Sequence, residues 1–302
     1  MKHPVVVLVL LAGIGLVATG CSSTSTGPTP SATPTQPSIA RGTGNVNVLY
    51  AASLEGLMEN QISPVFDKAT GYTFQGYGDG SKALAAEITG KVRQGDVFIS
   101  ASPAVNSSLE GGANGNWVSW YATFATSPLV IGYNPNSAFA HDLKTKPWYR
   151  VVTEPGFKLG STDPATDPKG ALAAQALNAA ASTENEPALK TLATSNPNIQ
   201  TEQSLVGQLQ AGQLDAAFFY TSEAKAAKIP TVPLTGQSLS AVYTITVLNG
   251  APNPSGAAAF VAYLLGPDGQ SILKKDAYNL TLPAAVTGTG VPKALRDVFG
   301  NK

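Results

Sequence analysis

A two-lobed α/β architecture is what this sequence predicts, each lobe a largely parallel sheet flanked by helices. Three observations carry the prediction. Short apolar runs alternate with helical patterns from Asn45 onward. Residues 161–170 set a turn rich in Asp and Pro between a strand and a helix. Two long extended runs, 121–133 and 241–248, suit segments that cross between lobes as a hinge. At 302 residues, 43% hydrophobic and with formal net charge +0, the chain has room for two domains.

The chain opens with Lys2, His3 and Pro4, then an apolar run over 5–17, Ala18-Thr-Gly20 and the sole cysteine, Cys21. That run is too short to span a bilayer, so residues 1–20 read as a signal peptide. Gly20-Cys21 resembles the lipobox of bacterial lipoproteins. The resemblance implies cleavage before Cys21, acylation of its thiol and a tether to the outer face of a membrane. Residues 22–44 are Ser, Thr, Pro and Gly with almost no large apolar side chain. Such a segment cannot bury enough surface to fold, so 21–44 is expected to be a lipidated, flexible linker.

The globular part begins at Asn45, and residues 46–50 read as a strand. Leu54, Leu57, Met58, Ile62, Val65 and Phe66 follow at helical spacing, with Ser53 as N-cap, Glu55 in the first turn and Gly71 at the end. Pro64 is expected to kink this helix or break it in two. A second strand, 72–77, leads into Gly78-Asp-Gly-Ser81, after which Leu84, Ile88 and Val92 line one helix face. Residues 96–100 are the third strand. The run 121–133 crosses over, with Pro128 in the hinge region. The second lobe then holds the strand–turn–helix at 157–178, a helix at 201–209 and a buried strand at 214–220. The run 241–248 crosses back, and helices at 254–265 and 268–275 close the first lobe. The expected boundaries are 45–127 with 244–302 for lobe 1, and 128–243 for lobe 2.

Two features carry chemistry. Asp163 and Asp167 each precede a proline, which keeps them out of helical backbone geometry. Pro168 at the first helical position, with Asp167 as N-cap, is an ordinary helix start, and alone it reads equally well as a capped helix. Ser53 and Ser81 each follow a strand and open a helix. Beyond the carboxyl ends of parallel strands, helix N-termini offer unpaired N–H groups and partial positive charge. Either serine by itself is more simply a cap. Two in matching places point to an oxyanion cradle.

Composition argues against other classes. Near-neutral charge and the lack of a basic run argue against nucleic acid. After cleavage the chain keeps His141 alone among histidines and no cysteine beyond Cys21. That leaves no internal disulfide, no His/Cys zinc site and no thiol nucleophile. A serine hydrolase would need His141, in what reads as a polar loop, and neither serine sits in a Gly-x-Ser-x-Gly turn. No enzyme activity and no cofactor is expected.

Leu49-Tyr-Ala-Ala-Ser53-Leu, Gly78-Asp-Gly-Ser81, Gly95-Asp-Val-Phe-Ile-Ser-Ala101 and residues 242–254 resemble the molybdate- and tungstate-binding components of ABC importers. The similarity runs over about 45–278. Residues 163–170 and 202–209 look closest to the archaeal-type tungstate/molybdate branch. The resemblance implies a type II periplasmic-binding-protein fold, a molybdate or tungstate ligand, an ABC permease as partner and a monomer anchored outside the cytoplasm. It also implies that two serines bind oxyanion oxygens while an Asp before Pro and a later Glu bind the metal centre. By motif these roles fall on Ser53, Ser81, Asp167 and Glu202. Tyr220 matches a tyrosine that lines such sites, and backbone around Ala101 and Ser127 is a further expected contributor. Ala171 stands where the family often has a bulkier residue. The alternative is a protein for another oxyanion, sulfate or phosphate, using the same serines.

The carboxylates demand a physical reason. Like unit charges about 4 Å apart repel by about 4 kcal/mol at an effective dielectric near 20, and the expected ligand is a dianion. Acids facing its oxygens would spoil binding. They make sense as ligands to an oxygen-seeking hexavalent metal that expands its coordination, or as buried, protonated acids. The plain structural roles are Asp167 as N-cap and Glu202 as a first-turn acid.

Overall fold

In the computed structural model, residues 39–300 are described; the expected signal peptide, Cys21 and the linker up to residue 38 lie outside them. β1 (Asn45–Ala51) runs into one 3₁₀ turn (Ala52–Leu54), then α1 (Glu55–Leu57), a π-helical turn (Met58–Ile62) and α2 (Ser63–Thr70). The helix therefore runs on through Pro64, which was expected to kink it or break it in two: it is not broken, and a π-helical turn precedes the proline. Proline donates no N–H and its ring crowds the carbonyl four residues back, and a widened turn just before it relieves both. Gly71 ends α2 at φ +80°, in the left-handed region glycine favours.

β2 (Thr73–Asp79), α3 (Ser81–Thr89), β3 (Val97–Ser100) and α4 (Pro103–Ser107) follow, then β4 (Trp120–Tyr133). Next come α5 (Ala140–Thr145), α6 (Trp148–Val151), β5 (Leu159–Thr162), α7 (Pro168–Thr183), α8 (Ala188–Ser195), β6 (Ile199–Gln200) and α9 (Glu202–Gln210). β7 (Ala216–Tyr220), α10 (Thr221–Ala226), β8 (Thr231–Pro233), β9 (Ser240–Val247), α11 (Pro254–Leu265), α12 (Pro267–Lys275) and β10 (Asn279–Gly288) follow, ahead of two 3₁₀ turns (Lys293–Leu295 and Asp297–Phe299).

The strands form one sheet in the order β2-β1-β3-β9-β4-β7-β5-β6, with β8 and β10 also paired to β4. β1 pairs in parallel with β2 and β3, and β5 in parallel with β6 and β7. Both long runs enter antiparallel, so the sheet is mixed rather than largely parallel. β4 is its spine: residues 122–128 pair with β9 and residues 129–133 with β7. A strand that long can belong to both halves at once.

Helices cover both faces, which is why the inner strands are apolar on both sides. On β1, Val46, Val48 and Tyr50 pack with Leu54, Phe66 and Phe260, while Leu49 points into a second cluster with Leu84 and Ile88 of α3. β7 repeats the pattern. Phe218 and Tyr220 share a cluster with Ala173 and Ala176 of α7, and Phe219 shares one with Leu205 and Leu209 of α9.

Two differences from the sequence reading stand out. β10 was not anticipated, because only Ala284 of its residues is buried and Pro283 interrupts it, leaving no alternation to read. His141 lies on α5, not in a loop, and is exposed as expected.

Candidate functional site

Ser53 does not cap a helix. It lies inside the 3₁₀ turn that follows β1, whose N-cap, Ala51, makes no side-chain cap bond. The Ser53 hydroxyl is 3.0 Å from Tyr243 Oη on β9. Ser81 is the first residue of α3, after Gly80 as N-cap, and its Oγ accepts the Ala101 N–H at 3.1 Å. The backbone N–H groups of Lys82 and Ala83 donate to the Thr166 carbonyl at 3.1 and 3.2 Å. The N-terminus of α3 thus meets the turn between β5 and α7. The contact is tight: a Cβ on Gly80 would lie 2.5 Å from Thr166 O and 3.3 Å from Asp167 Cβ.

That turn is built by its two aspartates in different ways. Asp163 holds the loop, its Oδ1 accepting the Ala165 N–H at 2.8 Å and its carbonyl the Asp167 N–H at 2.9 Å. Asp167 caps α7, its Oδ1 accepting the Lys169 N–H at 2.7 Å. Gly170 permits the close approach of α7 to β5, since a Cβ there would meet Thr162 O at 2.3 Å. Packed this close, the first turn of α7 directs Lys169 inward.

Glu202 opens α9, capped by Thr201, whose Oγ1 accepts the Ser204 N–H at 3.2 Å. Its Oε2 accepts from the Lys169 ammonium, which also donates to both Glu223 oxygens at 3.0 and 2.9 Å. Tyr220 ends β7 with its Oη buried and unpartnered. Its ring meets Tyr243 edge-on at 6.1 Å, and Tyr243 meets Tyr278 at 5.5 Å.

The five expected residues fall in two groups: Asp167 lies against Gly80, next to Ser81, and beside Glu202, while Ser53 bonds Tyr243, whose ring meets that of Tyr220. All are buried, none more than 7% exposed. Glu202 lies between two openings. One cleft of about 1000 Å³ is lined by Ser53, Glu55, Glu202, Glu223 and Tyr278. A smaller one of about 390 Å³ is lined by Gly80, Asp163, Asp167 and Glu202. Of the backbone contributors, the Ala101 N–H is spent on Ser81, while Ser127 Oγ accepts from Ser222 at the start of α10.

Electrostatics follow from burial. Asp167 is held well above the usual carboxylate range, by desolvation first and by neighbouring Glu202 second, with Lys169 opposing. Glu223 is raised for the same reasons in the same order. Burial works against the Lys169 charge, yet Glu202, Glu223 and Asp167 together hold its ammonium above the ordinary lysine range. The Tyr220 phenol is pushed up by burial, then by Tyr243 and Asp167, so it stays a hydrogen-bond donor. The bare like-charge repulsion counted from the sequence is thus softened by a buried cation and by acids that keep their protons longer.

Sequence reasoning missed Lys169, Glu223, Tyr243 and Tyr278. Lys169 was in view within the Asp-Pro-Lys-Gly turn, but its partners lie 33 and 54 residues away. Only a lysine between two prolines' worth of turn and a glycine hinted at a constrained place.

Residues 46–279 match the family described as bacterial extracellular solute-binding protein. The chain belongs to that family. Among relatives of this solute-binding protein, an uncharacterized solute-binding protein of Petrotoga mobilis is 27% identical over 292 residues, covering 84% of this chain and 90% of the relative. The molybdate/tungstate-binding protein WtpA of Thermococcus kodakarensis is 25% identical over 309 residues, covering 83% and 86%. The solved periplasmic molybdate-binding protein of Azotobacter vinelandii superposes with a TM-score of 0.61 at 20% identity, covering 78% of this chain and 99% of that one. That likeness is one of fold, the mixed α/β type II periplasmic-binding-protein fold.

Proposed function

We propose that this solute-binding protein captures molybdate or tungstate between two lobes and delivers it to an ABC permease, tethered outside the cytoplasm through Cys21. The observation that carries the reading is that Ser53, Ser81, Asp167, Glu202 and Tyr220, from five separate segments, are all buried, with Glu202 lining both the cleft that holds Ser53 and the smaller one that holds Asp167. In this reading the Ser53 and Ser81 hydroxyls and the Tyr220 phenol donate to oxyanion oxygens, and Asp167 and Glu202 bind the metal centre from its open side. The relatives named for molybdate and tungstate support the choice of ligand.

The lobes would be 45–127 with 244–302, and 128–243, closing about β4 and β9. Contacts across that division support a clamp: Gln203 Nε2 donates to Gly78 O at 3.2 Å, and Lys82 Nζ to Pro164 O at 2.8 Å. Closure buries the anion and presents a changed surface to the permease. A hydrolytic role for the serines has no support, since their hydroxyls bond a tyrosine and a backbone N–H rather than a base.

Isothermal titration with molybdate, tungstate, sulfate and phosphate tests the ligand. Selective binding of the two metal oxyanions is expected. Sulfate binding of equal strength would remove the metal-ligand role of the acids and favour a general oxyanion carrier. Loss of membrane association in Cys21→Ser is the expected sign of the tether.

A further inference from the structure

Lys169 touches both acids assigned to the metal. Its backbone N–H donates to Asp167 Oδ1 at 2.7 Å, and its ammonium donates to Glu202 Oε2. The side chain is wholly buried, with its Nζ 5.2 Å from the Phe219 ring centroid and 5.9 Å from that of Tyr220. On its far side Glu223 accepts from the ammonium through both oxygens, and Glu223 Oε2 also accepts the Tyr220 N–H at 3.3 Å. The ammonium is thus pinned to the corner between β7 and α10, beside the Tyr220 ring.

Stability alone does not explain such an arrangement. A buried cation with two carboxylates is commonly no more stable than apolar groups of the same volume. What it does supply is direction. Carboxylates that bind a metal centre are usually held by an outer partner, and fixing a glutamate before the ligand arrives removes an ordering cost from binding.

We propose that Lys169, braced by Glu223, is the positioning residue of the site: its N–H holds the Asp167 carboxyl and its ammonium holds that of Glu202, so that both are fixed for the bound metal centre. The inference rests on the oxyanion reading above. It gives Lys169 a role in ligand geometry, distinct from filling the core.

Lys169→Met alone strands two buried acids and can unfold the protein, so the test uses Glu223→Gln and the double variant Lys169→Met/Glu223→Gln. Tungstate affinity is read by titration, and tungsten–oxygen coordination by X-ray absorption. The double variant is expected to bind about 10- to 100-fold more weakly, with a carboxylate oxygen lost or lengthened in the absorption spectrum. Glu223→Gln, which keeps its hydrogen-bonding shape, is expected to lose a smaller factor, roughly three- to tenfold. In a Glu202→Gln background most of the effect should vanish, because one of the two carboxylates has already gone. Full affinity with an unchanged spectrum in either variant overturns the proposal. So does a loss of the same size in the Glu202→Gln background, which would mark a merely structural lysine. A parent protein that binds neither molybdate nor tungstate overturns the ligand reading first, and this one with it.

Discussion

Tyr243 Oη lies 3.0 Å from Ser53 Oγ, across 190 positions of sequence, so the hydroxyl that looked like a helix cap is bonded to the crossing strand β9. The pair ties the end of β1 to a segment expected to move when the protein closes. Removing the phenol oxygen separates the serine's two duties. Tyr243→Phe should lower unfolding free energy by about 0.5–1.5 kcal/mol, the net worth of one hydrogen bond, while leaving tungstate binding within a few-fold of the parent. Ser53→Ala removes the same hydrogen bond and leaves the buried Tyr243 hydroxyl unpaired, so it should cost at least as much stability and weaken tungstate binding as well. Urea melts and titration of both variants check the contrast, and equal effects of the two on binding would refute it.

Asp167→Asn and Glu202→Gln separate capping from ligand binding. Asparagine caps a helix about as well as aspartate, so the Asp167→Asn fold should hold. Tungstate affinity should nevertheless fall at least about tenfold in each variant, the size typical of disturbing a metal ligand's surroundings. Circular dichroism and titration together decide. Parent-like binding in both would leave only helix caps.

Acidity inside the site sets a pH trend. Asp167 and Glu223 keep their protons to higher pH in the folded chain than in the unfolded one, where they titrate near pH 4. Above about pH 4 the folded state therefore binds more protons than the unfolded state, and stability falls as pH rises toward the raised values. The unliganded protein should be more stable near pH 5 than near pH 8, and Glu223→Gln should flatten the difference. Melting temperature across that range is the measurement. A slope unaltered by Glu223→Gln would place the effect elsewhere.

Gly80 tests closure. A methyl group there would stand 2.5 Å from Thr166 O, wedging α3 off the Asp163–Asp167 turn. Overpacking of this kind costs about 1–3 kcal/mol, or about 5- to 150-fold if it falls on the ligand-bound state alone. Gly80→Ala should weaken tungstate binding by a factor in that range while unfolding of the unliganded protein changes less. Equal losses in both would mean that this contact persists without ligand.

Residues 161–170 show how much could be read locally. The Asp167 cap, Pro168 at the first helical position and the strand before them all stand where the sequence put them, because each depends on neighbours within a few residues. Pro64 shows the limit of the same rules. They required a local accommodation, but whether it would be a break or a widened turn depended on packing Met58 and Ile62 into the core.

What the sequence by itself determined, then, was most of the strands and helices and the two long extended runs, since hydrophobic period, prolines and caps are short-range signals. What only the tertiary structure decided was the company those residues keep. Lys169 is a charged residue whose burial is tolerable only beside Glu202 and Glu223, and no local pattern announces partners that the chain brings in from other helices. Burial also changes what the acids are: desolvation raises Asp167 and Glu223, and desolvation exists only once the sheet and its helices have closed over them.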